Sequence, residues 1–201
     1  MKPEKSINQR LKDIFFPPGR VNYQAVKEVI PFFALVTAAL IWMYVIYVRQ
    51  IESVLNAVIF SLLMLLHLGM YWAVFRFIQN QRHLRVYFIF QGLLVFIIVL
   101  FATNFGLAIG LYASLIGNAV GSMRRSRDLF LFIPGYLLLA AAAIALQSGL
   151  AQLAEWSYVA IPSILLSGFI SFMFRRQMEM RDNAEHLLAD LQKAHVQLEA
   201  Y

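Results

Sequence analysis

Six long apolar runs, separated by short polar breaks, leave this 201-residue chain little choice of architecture. A helix needs about 20 apolar residues to cross a bilayer, and about 17 at the least. The runs are Val29 to Val48, Val54 to Phe75, Val86 to Thr103, Phe105 to Met123, Leu129 to Leu146 and Tyr158 to Phe174. Lipid offers no hydrogen bonds to a bare backbone, so segments of this kind must close their own as helices. The pattern predicts an all-α fold: a polytopic six-helix transmembrane bundle followed by a cytoplasmic helix. The tightest boundary is the turn between the third and fourth runs, where only Thr103, Asn104 and Phe105 are available. The sixth run is short and has room to extend back to Leu153.

The placement of Lys and Arg sets the expected orientation. Six precede the first run: Lys2, Lys5, Arg10, Lys12, Arg20 and Lys27. Arg76, Arg82 and Arg85 follow the second, Arg124, Arg125 and Arg127 the fourth, and Arg175, Arg176, Arg181 and Lys193 the sixth. Arg49 alone falls after an odd-numbered run. Basic residues gather on cytoplasmic loops, so both termini are expected inside a bacterial plasma membrane. The same placement argues against nucleic-acid binding, because the net charge of +6 follows topology rather than one binding face. With no Cys there is no thiol chemistry. No small-residue cleavage site follows the first run, which reads as an anchor and not a signal peptide.

Three regions follow: a cytoplasmic segment over 1–27, a membrane bundle over 28–174 and a linker helix over 175–201. In the first, Ser6 and Gln9 have capping-box spacing, and Ile7, Leu11, Ile14 and Phe15 share a face before Pro17, Pro18 and Gly19. A short helix on the inner leaflet fits this spacing, and a frayed tail is the plain alternative. The outer connections are expected to be brief: Arg49 to Ser53, a few residues at Asn104, and Gln147 to Trp156. With so little outside, the partners expected for sensing are membrane lipids.

Beyond Arg175 the chain turns polar without a turn signal and takes up a seven-residue rhythm. Met180, Ala184, Leu187, Leu191, Ala194, Leu198 and Tyr201 alternate steps of four and three, which aligns them on one helix seam. Such a seam pairs with a second copy, and a membrane helix running directly into it is a mechanical output. Pro162 lies upstream, where a bend would re-aim the seam. Ser163, Ser167 and Ser171 form a polar stripe on the same span.

Few residues carry chemistry. His67 sits mid-span and is a candidate by its ionisable nature, but no second His, Cys or carboxylate stands at ligand spacing. A neutral His hydrogen-bonded between helices is the favoured reading, and no metal is expected. Gln91, Asn104 and Asn118 read as interhelical glue, each bond worth about 0.6 kcal/mol on average. Gly106, Gly110, Ala113, Ser114, Gly117 and Gly121 let a neighbouring helix approach closely, either inside the bundle or at a dimer face. Lys27 and Glu28 border the first span just before Pro31, where interfacial anchoring is the ordinary reading and a gauge of bilayer thickness the functional one. No nucleotide loop, triad or kinase motif is present, so this segment holds no catalytic residue and no cofactor.

The chain resembles the input half of bacterial sensor histidine kinases of the NarL-responsive class, among them the DesK-type membrane thermosensors. Three stretches carry the likeness. They are Leu111-Tyr112-Ala113-Ser114-Leu115-Ile116-Gly117-Asn118 before a basic loop, Ile161-Pro162 opening a span that closes on Arg175-Arg176, and the helix Leu187-Leu188-Ala189-Asp190-Leu191-Gln192-Lys193-Ala194. The resemblance implies a bundle that sets the state of a dimeric coiled coil. That coil would switch an attached kinase, which uses ATP, between kinase and phosphatase action on a response regulator. The family's polar gauge would fall near Lys27 and Glu28, without identity of residues. His186 and His195 lie in the linker and are not the phospho-accepting His, which would belong to a kinase half beyond this segment. The competing functions are a small transporter or channel, for which His67, Gln91 and Asn118 make a sparse path, and a passive membrane scaffold.

Overall fold

The computed structural model describes residues 23–78, 80–102, 104–123 and 126–199, the side chains of 23–29, 126, 182 and 186 excepted. Ser6, Gln9 and the expected surface helix lie outside these residues, as does Tyr201 at the end of the seam. The described residues form six α-helices and no strand: α1 Tyr23–Val48, α2 Val54–Phe77, α3 Gln81–Phe101, α4 Phe105–Ser122, α5 Ser126–Ser148 and α6 Leu150–Glu199. Each contains a stretch long and apolar enough to cross a membrane.

The breaks between helices are made by side chains that satisfy the first free amides of the next helix. Ser53 Oγ accepts from the Asn56 amide, and Asn80 Oδ1 accepts from the Arg82 amide. Asn104 Oδ1 accepts from the Gly106 amide at 2.8 Å. That last cap lets α4 restart almost at once. Accordingly α3 ends at Phe101, two residues short of the expected Thr103, with the Ala102 amide closing back on Ile98.

The connection expected over Gln147 to Trp156 is not a loop. α5 runs to Ser148 and α6 begins at Leu150. The whole reversal rests on Gly149, at φ +83°, whose amide bonds Ala145 O at 3.1 Å. A left-handed residue here strongly favours glycine. The polar Gln152 and Glu155 sit on the exposed side of α6, while Trp156 on the other side is buried.

The core is centred on α4, of which 67% is buried, against 50% for α3 and less for the others. α4 packs on α1, α3, α5 and α6, and its closest partner is α6. Lipid is as apolar as leucine, so this association draws on close packing and internal hydrogen bonds rather than on exclusion of water. Examples are Phe33 against Tyr71 and Phe75, at 4.8 and 4.6 Å between ring centres, and Trp72 Nε1 donating to Thr37 Oγ1.

One ion pair was not foreseen from sequence. Arg85 on α3 meets Asp128, in the first turn of α5, through two contacts of 3.0 Å. The forked geometry and the positive end of α5 both favour the carboxylate. Arg85 is partly exposed, so the pair is screened, and Asp128→Asn is expected to cost only about 1 kcal/mol. In a double-mutant cycle followed by thermal unfolding, Arg85→Gln should add little to that loss.

Candidate functional site

α6 is one helix from Leu150 to Glu199, 50 residues long, unbroken at Pro162 and at Arg175-Arg176. Pro162 removes the amide that would serve Tyr158 O, and next to it the Ser163 hydroxyl bonds back to Val159 O at 2.7 Å. Trp156, Ala160, Ile164 and Ser171 form the face of α6 that is buried in the bundle. Below Arg175 the helix leaves the bundle, and no side chain described there is buried.

The joint between α4 and α6 is built from small residues and backbone carbonyls. A Cβ at Gly117 would lie 2.9 Å from Ser171 Oγ and 3.0 Å from Ser167 Oγ, so any side chain here would have to displace both hydroxyls. Ser167 Oγ then donates to Ala113 O at 2.8 Å. At the lower end Arg175 Nη1 donates to Val120 O at 3.1 Å and to Met123 O at 2.7 Å. These carbonyls belong to the last turn and C-cap of α4, where a helix has no partners of its own and carries partial negative charge. Arg175 is thus a cationic cap that ties the end of one helix to the point where another leaves the bundle. The same device recurs at the opposite end, where Gln147 Nε2 of α5 reaches Val99 O and Ala102 O at the end of α3.

Among the described residues, nothing packs against the seam leucines. Leu187, Leu191 and Leu198 are 65%, 66% and 74% exposed, so no part of the described chain covers them. The flanks carry i to i+4 pairs, Arg181 with Glu185 and His195 with Glu199. Upward, Gln177, Met173, Ile170 and Leu166 continue the same four-three spacing and are exposed too. The seam and the lipid-facing side of α6 therefore form one stripe.

His67, the mid-span candidate, and Gln91, read from sequence as interhelical glue, are brought together between α2 and α3. Gln91 Nε2 lies 2.9 Å from His67 Nδ1 and 3.3 Å from His67 O, and both residues are fully buried. Asn118 is also buried, with Ser122 Oγ donating to its Oδ1 at 3.2 Å. No trio of His, Cys, Asp or Glu at metal-binding spacing occurs among the described residues.

The small residues of α4 do not share one partner. Gly106 faces Tyr47 and Gly110 faces Met43, both on α1, whereas Gly117 faces α6. Lys27 and Glu28 lie in the first turns of α1, and Pro31 is exposed within it. Ser163 is half-buried and bonds back to Val159 O on its own helix, and of the serine stripe Ser167 and Ser171 are the ones that reach α4. The sequence reading missed the role of Arg175, because its partners are backbone carbonyls that no side-chain pattern announces.

Comparison with known proteins adds one finding. Over 149 residues the chain is 28% identical to the sensor histidine kinase YdfH of Bacillus subtilis (strain 168), covering 73% of this chain and 36% of that protein. The similarity supports a histidine-kinase membrane region. The chain spans only about a third of the relative's length. No family model matches the chain, and no solved structure matches it.

Proposed function

We propose that this chain is the membrane-embedded input module of a two-component sensor histidine kinase. It lies in the plasma membrane with both termini in the cytoplasm. It converts a bilayer-level stimulus, such as temperature, lipid order or thickness, into rearrangement of a dimeric coiled coil over Met180 to Leu198. The attached kinase half, using ATP, then shifts between phosphorylating and dephosphorylating a response regulator.

The observation that carries this reading is the unbroken course of α6, from buried residues packed on α4 to a fully exposed heptad seam. A stiff helix transmits rotation or tilt along its length, whereas a flexible hinge at Arg175-Arg176 would dissipate it. An exposed row of leucines on one face calls for an apolar partner, and the 3.5-residue spacing fits a parallel copy of itself. The seam has only three heptads and two of its positions are alanine, so the coil is weak, as a reversible element must be.

Cysteine at Leu187 or Leu191 tests the reading in native membranes. Disulfide-linked dimers are expected at both, with a yield that changes when acyl chains of different length are supplied. Absence of dimers at both positions rejects the coiled coil. Dimers of constant yield in every lipid make the module a passive scaffold.

A further inference from the structure

Among the described residues, the buried side-chain atoms without a hydrogen-bond partner include His67 Nε2, Gln91 Oε1 and Asn118 Nδ2. Their residues are at most 4% exposed. The hydrogen-bond chemistry of the first two is determined by the contact between them. Gln91 places its NH2 group against both His67 Nδ1 and His67 O. A flipped amide would set its oxygen against the carbonyl, so the orientation follows from the network. Nδ1 therefore accepts, the proton resides on Nε2, and the outward-facing atoms are one donor, Nε2–H, and one acceptor, Oε1.

These atoms do not stand alone. One turn along α3 from Gln91, Tyr87 donates its hydroxyl to Met70 O at 2.7 Å, with the Asn118 side chain beside it. Asn118 is followed by Ser122, the last residue of α4, and Ser122 bonds Asn118 Oδ1. Polar groups thus descend from His67 through Gln91, Tyr87 and Asn118 to the end of the bundle where Arg175 sits. In the other direction the ladder stops. Met64 and Phe60 on α2, and Val95 and Ile98 on α3, are buried and apolar.

We infer that the bundle interior is a water-binding site, with separate waters at His67 Nε2 and at Gln91 Oε1, reached by a polar half-path that opens at the Arg175 end. Water is the chemistry that fits, because it supplies both the acceptor and the donor that the two atoms need. The closed apolar half makes the path a blind one, so it hydrates the core without conducting through it. The inference stands whether or not the chain signals.

Hydroxyl-radical footprinting of the protein in lipid nanodiscs, with radicals made by X-ray radiolysis, tests it. A bound water generates the radical at the side chain, so buried His67 should be oxidised within about an order of magnitude of the rate at exposed His195. If His67 stays unlabelled while His195 saturates, the site is dry and the inference is overturned. The route is tested by Asn118→Leu, or by Ser122→Val at the mouth should the first variant not fold. Either should slow labelling of His67 several-fold and leave Met180 unchanged. An unaltered His67 rate would overturn entry from the Arg175 end.

Discussion

Gly92→Ala is expected to destabilise the bundle by about 1–3 kcal/mol, the usual range for forcing an extra carbon into a packed interior. The same change at Gly69 or Gly135 should be neutral or stabilise by up to about 1 kcal/mol, because alanine is the better helix former. The contrast comes from what each new methyl would meet. At Gly92 it would lie 2.6 Å from Tyr136 Cε1, whereas nothing is within 4 Å at Gly69 or Gly135. Tyr136 cannot simply turn aside. Its ring is buried against Phe132, at 5.8 Å between centres, and its hydroxyl donates to Phe88 O at 2.9 Å. Moving the ring would strand a hydroxyl in an apolar interior, which itself costs about 1–3 kcal/mol. Thermal unfolding followed by far-UV circular dichroism in one bilayer mimic is the direct measurement. Adding Tyr136→Leu should recover part of the loss, since it removes the ring that clashes. If Gly92→Ala proves as harmless as Gly69→Ala, α3 and α5 do not meet as described.

The course of the helices could be read from the sequence, and their contacts could not. Length and apolarity are enough to place a span, because the bilayer accepts little else. Inside a membrane, however, lipid-facing and core-facing residues use the same alphabet. In α2, Met64 is 1% exposed while Leu65 and Leu66 are 70% and 53% exposed, and nothing in the three names distinguishes them. The amphipathic signal that orients a helix in a soluble protein is missing here. Rare polar residues kept some of that information. His67 stood out as a candidate and Gln91 as interhelical glue, although their pairing depends on the register of α2 against α3, which no local pattern encodes. The start of α6 was obscured for another reason. Gln152 and Glu155 look like loop residues, but at the end of a long helix they need only one wet side. Only past Arg175, where the helix leaves the bundle, does the heptad pattern again identify an outward face.

Arg175→Ala is expected to uncouple the output helix while leaving the six helices assembled. Its guanidinium makes both bonds to the end of α4, to Val120 O and Met123 O. Each is charge-assisted, and such bonds contribute about 1.5–3 kcal/mol when shielded from water. The side chain is 23% exposed, which places the pair toward the lower end, about 2 kcal/mol in total. Ser167 and the Gly117 seat remain in the variant, so the upper part of the joint holds and thermal stability should fall only modestly. The larger effect is mechanical. With the cap gone, the last turn of α4 loses its partners, and amide exchange at its C-terminal residues should rise about thirtyfold, as a loss of about 2 kcal/mol predicts. Under the signalling reading, disulfide yield at Leu187 should stop responding to acyl-chain length, because a shift of α4 no longer reaches the seam. Arg175→Lys retains the charge but loses the planar guanidinium whose Nη1 serves both carbonyls, and should fall between wild type and Arg175→Ala. If Arg175→Ala raises exchange at α4 yet leaves the lipid response of the seam intact, the signal passes to α6 above this cap, through Ser167 and Gly117.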